Sequence, residues 1–451
     1  MNLSYFISKR ISREESGSFS STIHKIAIVT ITVGLGAAIV SFLIMSGFQS
    51  TVKNKIYSFS SHMVVRNIAS EGMVEEKPIY YDQIDLVQHP ENYPMVRHVQ
   101  EYAHKPGIMK TEDELMGIAF KGVGKSFDVN AFSENMVEGE FIHHSDSGAS
   151  MDVVISRIIA DKVNAKVGDD IIVHFFQNPP RFRKLKVTGI YETNLSEYFD
   201  SKVIIGDIRL VQQLNGWADG VAGGVEVFID FDRFNRSELF SLYMSDAMDY
   251  IWSSDWPWYE KIMESYNAWS DYDFEEMALE ETRRYIGEAM DFDHKIDQAN
   301  HTYQVVFEWL HLIHRQVLIL LAIIVIVVCI NMISVVLIMV MERTQMIGML
   351  KALGAKNGQV RSIFIFNGIN LVFRGLLFGN LLGLGLCFLQ YRFRILKLNP
   401  HDYYMSFVPV GWNAETVLYL NLLVLAVVAL VLLIPSAVTT RINPIKAIRF
   451  D

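Results

Sequence analysis

Four stretches of the chain run without charge for long enough to matter: Ile26–Met45, Val317–Met341, Ile363–Gln390 with Arg374 inside it, and Thr416–Val438. At about 1.5 Å rise per residue, some twenty helical residues cover the roughly 30 Å hydrocarbon core of a bilayer, so each stretch predicts a transmembrane helix. The first is too long for the core of a signal peptide. Neither a small-residue cleavage site nor a lipid-attachment cysteine follows it, and it reads as an uncleaved anchor. Between the first two runs the pattern changes. Met63–Ile68, Leu115–Phe120, Val153–Ser156, Asp170–Phe176, Lys184–Tyr191, Lys202–Ile205 and Gly224–Phe231 are β-rich and bounded by turn residues, while Arg157–Ala165 and Ile208–Leu214 carry helical periodicity. From about Arg236 to Trp309 the chain turns helix-like and holds Trp252, Trp256, Trp258 and Trp269. The fold class expected is an α-helical membrane protein with four transmembrane helices and a large α+β extracytoplasmic domain between the first and second.

Composition agrees, because 51% hydrophobic residues over 451 positions exclude a purely soluble enzyme. Both cysteines, Cys329 and Cys387, lie in apolar runs and act there as small hydrophobes, not as a disulfide framework. The net charge of −10 is concentrated in residues 246–297, which carry −11. Such a run is read first as a solvated face and second as a partner surface, and it disfavours a nucleic-acid partner. Lysine and arginine number 4, 4 and 3 in segments 1–25, 342–362 and 439–451, which share a side by the parity of four spans. By the positive-inside rule that side is cytoplasmic, in a multi-pass inner-membrane topology. The map is therefore 1–25 cytoplasmic and interfacial, 26–46 first span, 47–316 outside with an acidic helical subdomain at about 236–301, 317–341 second span, 342–362 cytoplasmic, 363–390 third span, 391–415 outside, 416–438 fourth span, and 439–451 cytoplasmic tail.

Candidate chemistry is sparse. Ala119-Phe-Lys-Gly-Val-Gly-Lys-Ser126 ends like a phosphate-binding loop, but alanine stands where such a loop needs its first glycine, and the segment is placed outside, where ATP is scarce. The histidines of His143-His144-Ser-Asp146, and His311 with His314, do not supply a recognisable metal-ligand set. With neither a nucleophile elbow nor paired catalytic carboxylates, no catalytic residue, metal or cofactor is assigned to this chain. Gly368, Gly375, Gly379 and Gly383 fall on one helix face and admit close backbone approach. Arg374 beside them costs roughly 2.5–3.5 kcal/mol at a helix centre, and calls for a partner, a polar cavity or snorkelling. After the second run, Met346, Met349, Leu350 and Leu353 fall at helical spacing among Arg343, Lys351 and Lys356, with Gly354 as a stop. That pattern fits a helix at the membrane surface or in a partner's groove.

Several of these pieces resemble one family in its own order: Met45-Ser-Gly-Phe48 with Ile56 and His62, Val153–Ser156 followed by Lys166-Val-Gly-Asp169, Lys186–Glu192, Gly220–Val227, Glu342–Ala355, and the ending Pro435-Ser with Arg441–Phe450. The chain is similar to the permease subunits of FtsX/MacB-type ABC transporters, and within them to the lipoprotein-releasing LolC/LolE branch. The resemblance implies a dimeric, non-catalytic permease, paired with a second copy or a paralogue. It implies a MacB-like periplasmic core, and a separate cytoplasmic ABC ATPase that binds the ATP and magnesium. Glu342, Arg343, Met346, Gly348, Met349, Leu350, Lys351, Leu353 and Gly354 would form the coupling helix that the ATPase grips. Phe42, Met45, Phe48, Ile330, Met332 and Ile333 would contact acyl chains of lipoprotein cargo. Carrier docking in that branch uses an extended hairpin loop. The corresponding residues here, Gln177, Asn178, Pro179, Pro180, Arg181, Phe182 and Arg183, make a short one. The other job open to the same fold is a MacB-like efflux or secretion mechanotransmitter, or an FtsX-like regulator of a cell-wall hydrolase.

Overall fold

A computed structural model describes residues 19–70, 75–110, 115–145, 148–177, 179–195, 199–235, 237–267, 271–399 and 403–433. The signature Arg441–Phe450 and the predicted tail therefore lie outside the described residues. The chain divides into two compact units. One comprises Met1–Thr51, Glu308–Asn399 and Ser406–Asp451, and the other Val52–Phe307 with Pro400–Met405.

The first apolar run lies within α1, Phe19–Ser60, a 42-residue helix that continues well past the predicted span. The β-rich unit follows. Its strands are β1 (Met63–Asn67), β2 (Ile79–Tyr80), β3 (Val96–Lys110), β4 (Leu115–Val123), β5 (Met136–Gly139), β6 (Asp152–Ser156), β7 (Asp170–Phe175), β8 (Arg181–Tyr191), β9 (Val203–Asp207), β10 (Val221–Ala222), β11 (Gly224–Ile229) and β12 (His294–Gln298). Ten of them form one sheet in the order β12-β1-β11-β3-β4-β9-β6-β8-β5, with β7 pairing both β3 and β8. Those last two pairings close a ring of six strands, β3-β4-β9-β6-β8-β7, which removes the exposed edges an open sheet would leave there. Along β7, Ile171, Val173 and Phe175 are buried and alternate with exposed residues, the pattern of a strand with one face inward.

Two helices pack with this closed half. In α2, Arg157–Val163, the Ser156 hydroxyl accepts from the Ile159 N–H, and in α3, Ile208–Asn215, Asp207 accepts from Arg209 N–H; each caps a helix start directly after a strand. The open half, β11-β1-β12, is covered differently. Helices α4 (Glu238–Ser253), α5 (Trp258–Asn267) and α6 (Asp271–Glu288) form the acidic stretch. Met277, Ala278, Leu279 and Ile286 of α6 share a core with Met63, Val65, Val225 and Val227. The helical stretch thus ends at Glu288 rather than near 301, since β12 returns to pair with β1 along Met63↔Gln298 to Asn67↔His294. Its last helix is built into the sheet's core.

The membrane unit continues with α7 (Gln304–Glu342), α8 (Thr344–Ala352), α9 (Asn357–Phe393) and α10 (Ala414–Val431). Four helices, α1, α7, α9 and α10, are long and apolar enough to cross a membrane. Three of the four glycines of the predicted stripe contact α1, while Gly368 faces Leu432, just past the end of α10. A Cβ on Gly375 would stand 2.6 Å from the Ile31 Cβ, one on Gly379 3.0 Å from the Leu35 Cβ, and one on Gly383 3.0 Å from the Gly36 carbonyl. Asn380 and Asn421 exchange side-chain hydrogen bonds of 2.7 and 2.9 Å between α9 and α10. That reciprocal pair satisfies amides which lipid would leave bare.

Candidate functional site

The predicted coupling segment is broken at its start. Helix α7 ends at Glu342, Arg343 leaves helical geometry with φ −102°, and α8 restarts at Thr344. Gly354 ends the turn with φ +92°, a conformation costly for residues with a Cβ. Inside α8 the apolar residues divide. Ile347, which the periodicity reading passed over, is 0% exposed and belongs to the core of the helical bundle, with Gly348 buried beside it and Met346 packed against the same core. Met349 and Leu353, four residues apart and so on one face, are 54% and 85% exposed. Leu350, Lys351 and Arg343 are half-buried and Glu342 is exposed. The helix is therefore pinned by one side and presents an apolar pair on the other.

The six residues assigned to cargo do not gather into one pocket. Met45, Phe48 and Met332 are buried, with the Phe48 ring edge-on to Trp309 at 5.4 Å. Phe42 and Ile333 are half-buried, and Ile330 is 60% exposed on the outside of the bundle. A cavity of about 10 Å³ lies among Leu35, Ile324, Val325, Val328, Val424 and Val428. It has room for about one water and none of the six lines it. The Met45-Ser-Gly-Phe48 motif has a packing reason: a Cβ on Gly47 would stand 2.4 Å from the Gly411 nitrogen, and Gly411 N–H donates to Leu43 carbonyl at 2.8 Å.

The third group is more strand than loop. Antiparallel pairing of β7 with β8 extends to Phe175↔Arg181, so the connection is residues 176–180, and Arg181, Phe182 and Arg183 belong to β8. Gln177 is half-buried, Pro179 and Pro180 are exposed, and Asn178 lies outside the described residues. Phe176 and Phe182 are 55% and 64% exposed at this tip.

Sequence reasoning missed a buried charge node. Lys121 in β4 pairs with Glu226 in β11 at 2.5 Å and donates to the Phe59 carbonyl at 2.7 Å, while Gln100 donates to the other Glu226 oxygen at 2.7 Å. Lysine and glutamate are 3% and 4% exposed. Nearby, Lys55 of α1 donates to the Thr193 and Tyr404 carbonyls at 2.8 and 2.7 Å. Burial raises the Asp200 carboxyl above its ordinary range, although hydrogen bonds from Thr193 and the charge of Lys55 oppose the shift. His62, stacked on Tyr57 at 4.1 Å, is pushed down to about 3 by burial and by the charge of Arg97. Lys121 also disposes of the phosphate-loop pattern. Its neighbours through Val123 are committed to β4, the Ser126 hydroxyl donates to Glu101, and the helix that follows, Val129–Phe132, has four residues. His143 and His144 face different carboxylates, Asp152 at 3.5 Å and Asp207 at 3.7 Å, and do not converge.

Comparison with known proteins matches residues 26–229 to the MacB-like periplasmic core domain and residues 318–444 to the FtsX-like permease C-terminal domain. The chain belongs to the FtsX/MacB-type permeases. It is 21% identical to the lipoprotein-releasing system transmembrane protein LolC of Neisseria meningitidis, covering 97% of this chain and 96% of that one. It is also 21% identical to LolE of Haemophilus influenzae, covering 99% of each. Among solved structures, the periplasmic region of MacB from Actinobacillus actinomycetemcomitans aligns with 57% of this chain and 98% of that one, at 13% identity and a TM-score of 0.31. The permease thus carries a MacB-like periplasmic core between its first transmembrane helix and the rest, and is a multi-pass ABC transporter permease of the LolC/LolE type.

Proposed function

We propose that this permease couples ATP hydrolysis in a separate cytoplasmic ATPase to extraction of lipoproteins from the inner membrane, for transfer to a periplasmic carrier. The observation that carries the coupling half is α8, pinned through Ile347 with Met349 and Leu353 turned outward. An apolar pair on a short, anchored helix suits a groove on a partner, and a force on it is delivered to the bundle core through Ile347. The flanking cations, together with those of the two chain ends, support a cytoplasmic side for α8 and both termini. A cysteine in place of Asn357 should then resist an impermeant thiol reagent in spheroplasts, and one in place of Asp219 should react.

Support for the lipoprotein half comes from the relatives named LolC and LolE, matched over nearly the whole chain. Acyl chains would meet the outer faces of α1 and α7, where Phe42, Ile330 and Ile333 offer apolar side chains that are not fully buried. Reconstitution with the cognate ATPase and a triacylated lipoprotein tests it. ATP-dependent transfer to a soluble carrier is the expected result, and hydrolysis without transfer would overturn the cargo assignment. One observation favours the second job, force transmission to a different partner: the β7–β8 connection spans only residues 176–180 and is no extended hairpin.

A further inference from the structure

Helices α4 and α5 fall between the two segments that match the family models, residues 26–229 and 318–444, so neither model accounts for them. Their residues 238–267 hold six carboxylates and one lysine, a charge of −5. A merely solvated acidic face would turn polar side chains outward, and this one also turns out rings. Tyr250 and Trp252 at the end of α4, and Trp256 in the turn that follows, are exposed, with Tyr250 edge-on to Trp256 at 5.9 Å. In α5, Trp258 and Ile262 share one face, as do Tyr259 and Met263 beside them, and all four are more than half exposed. None of residues 258–265 is buried. Helices as short as the ten residues of α5 are marginal in water unless an apolar face is packed away. Near its start α5 is tied to α4, where the Lys261 Nζ donates to the Trp252 carbonyl at 3.1 Å. Its apolar stripe is built and left uncovered.

We propose that the α4–α5 pair is a docking surface for a soluble periplasmic protein, which binds through a segment whose apolar side chains are flanked by lysine or arginine. The surface is separate from the β7–β8 connection, and the inference goes beyond the lipoprotein reading, since it holds whichever cargo the permease moves. Exposed apolar patches rimmed by polar residues mark interaction sites, and tryptophan and tyrosine are the side chains that anchor them. Charge selects the class of partner. Asp246, Asp249, Asp255 and Glu264 are exposed, and none forms an ion pair among the described residues, while the one lysine is spent on a backbone carbonyl. A cationic segment answers these carboxylates and gains cation–π contact with the indole faces. A second copy of this chain would set the same negative surface against itself. A helix made to lie on a membrane carries lysine and arginine on its polar face, where α5 carries Glu260 and Glu264.

The test uses the full chain in intact cells. A photoreactive amino acid in place of Trp256 or Met263 should form an adduct with one soluble protein, and peptide mapping should place the adduct beside apolar residues and lysine or arginine. The same probe in place of Val137, exposed on β5, should not capture that protein. With the probe at Met263, Trp258→Ser should lower the adduct roughly tenfold or more. Asp255→Lys combined with Glu264→Lys should do the same, and glutamate in place of the partner's mapped cations should restore the adduct to that variant. These side chains are exposed, so the melting temperatures of the detergent-purified variants should match the native chain, which separates lost docking from lost folding. An adduct with lipid, with a sugar polymer, with a second copy of this chain or with another membrane-spanning chain would overturn the proposal. So would a contact segment without cations, no adduct from either position, or an adduct indifferent to Trp258→Ser.

Discussion

Lys121 shows how a residue can mislead in sequence and matter in structure. In the sequence it belongs to a pattern that imitates a nucleotide loop; in the fold it is a buried cation answered by Glu226 and the Phe59 carbonyl. Removing one partner of a buried ion pair strands the other charge, at a cost of about 3–5 kcal/mol. Lys121→Met should lower the melting temperature of the detergent-purified chain by several degrees, and adding Glu226→Met should recover part of the loss. Recovery is expected because the double variant strands no charge, and single and double variants melting alike would count against the node. His62 gives a pH signature. Its pKa is pushed down to about 3 by burial and by Arg97, against an ordinary 6.5. The unfolded chain then binds a proton which the folded chain refuses, so this residue's contribution is complete above pH 6.5 and is lost as pH falls toward 3. The slope is at most about 1.4 kcal/mol per pH unit. Thermal melts of His62→Gln, which keeps an acceptor for the Ile229 N–H, should show a shallower loss across that window. Neither residue's role was legible beforehand, because burial and partners lie in strands brought together from distant positions.

The elements themselves were more readable. All seven β-rich runs became strands and both helical runs between them became helices, because alternation and 3.6-residue periodicity survive wherever one face is buried. The 15-residue β3 was missed because it contains Pro106 and Gly107. Its tolerance of proline has a local cause: β11 pairs with β3 from Val96 to Tyr102 and β7 from Gly107 to Met109, so Pro106 falls between the two partners, where a missing N–H leaves no ladder bond unmade. In the bundle, three of the four glycines read from sequence form the α1–α9 contact and Gly368 faces Leu432 instead, partners that were not nameable in advance. A valine at Gly375 would drive its Cβ to within 2.6 Å of the Ile31 Cβ and Cγ2. Overpacking of this kind costs about 1–3 kcal/mol. Gly375→Val should reduce the yield of folded protein in detergent, measured by size-exclusion chromatography, with Gly385→Val, whose Cβ meets nothing within 4 Å, as the tolerated control.

At the scale of the whole molecule, two uninterrupted helices carry the account. Helices α1 and α7 have 42 and 39 residues, or about 63 and 58 Å at 1.5 Å per residue, roughly twice a hydrocarbon core. The apolar runs revealed only the part of each that lipid would surround, since hydropathy is silent about a helix that continues into water or protein. Function was legible in the same partial way. The apolar face of α8 was visible as a periodicity, but Ile347, the residue that pins it, was not, because an anchor and an exposed apolar residue look alike in one dimension. Co-purification of the cognate ATPase with the full-length permease, native against Met349→Glu, tests the central claim most directly. The substitution puts a charge on the outward face of α8 and leaves Ile347 in the bundle. Membrane insertion and permease recovery should be unchanged, while ATPase recovery and permease-stimulated hydrolysis fall at least tenfold. A variant that retains the ATPase at native stoichiometry and supports native hydrolysis would contradict the coupling role of α8.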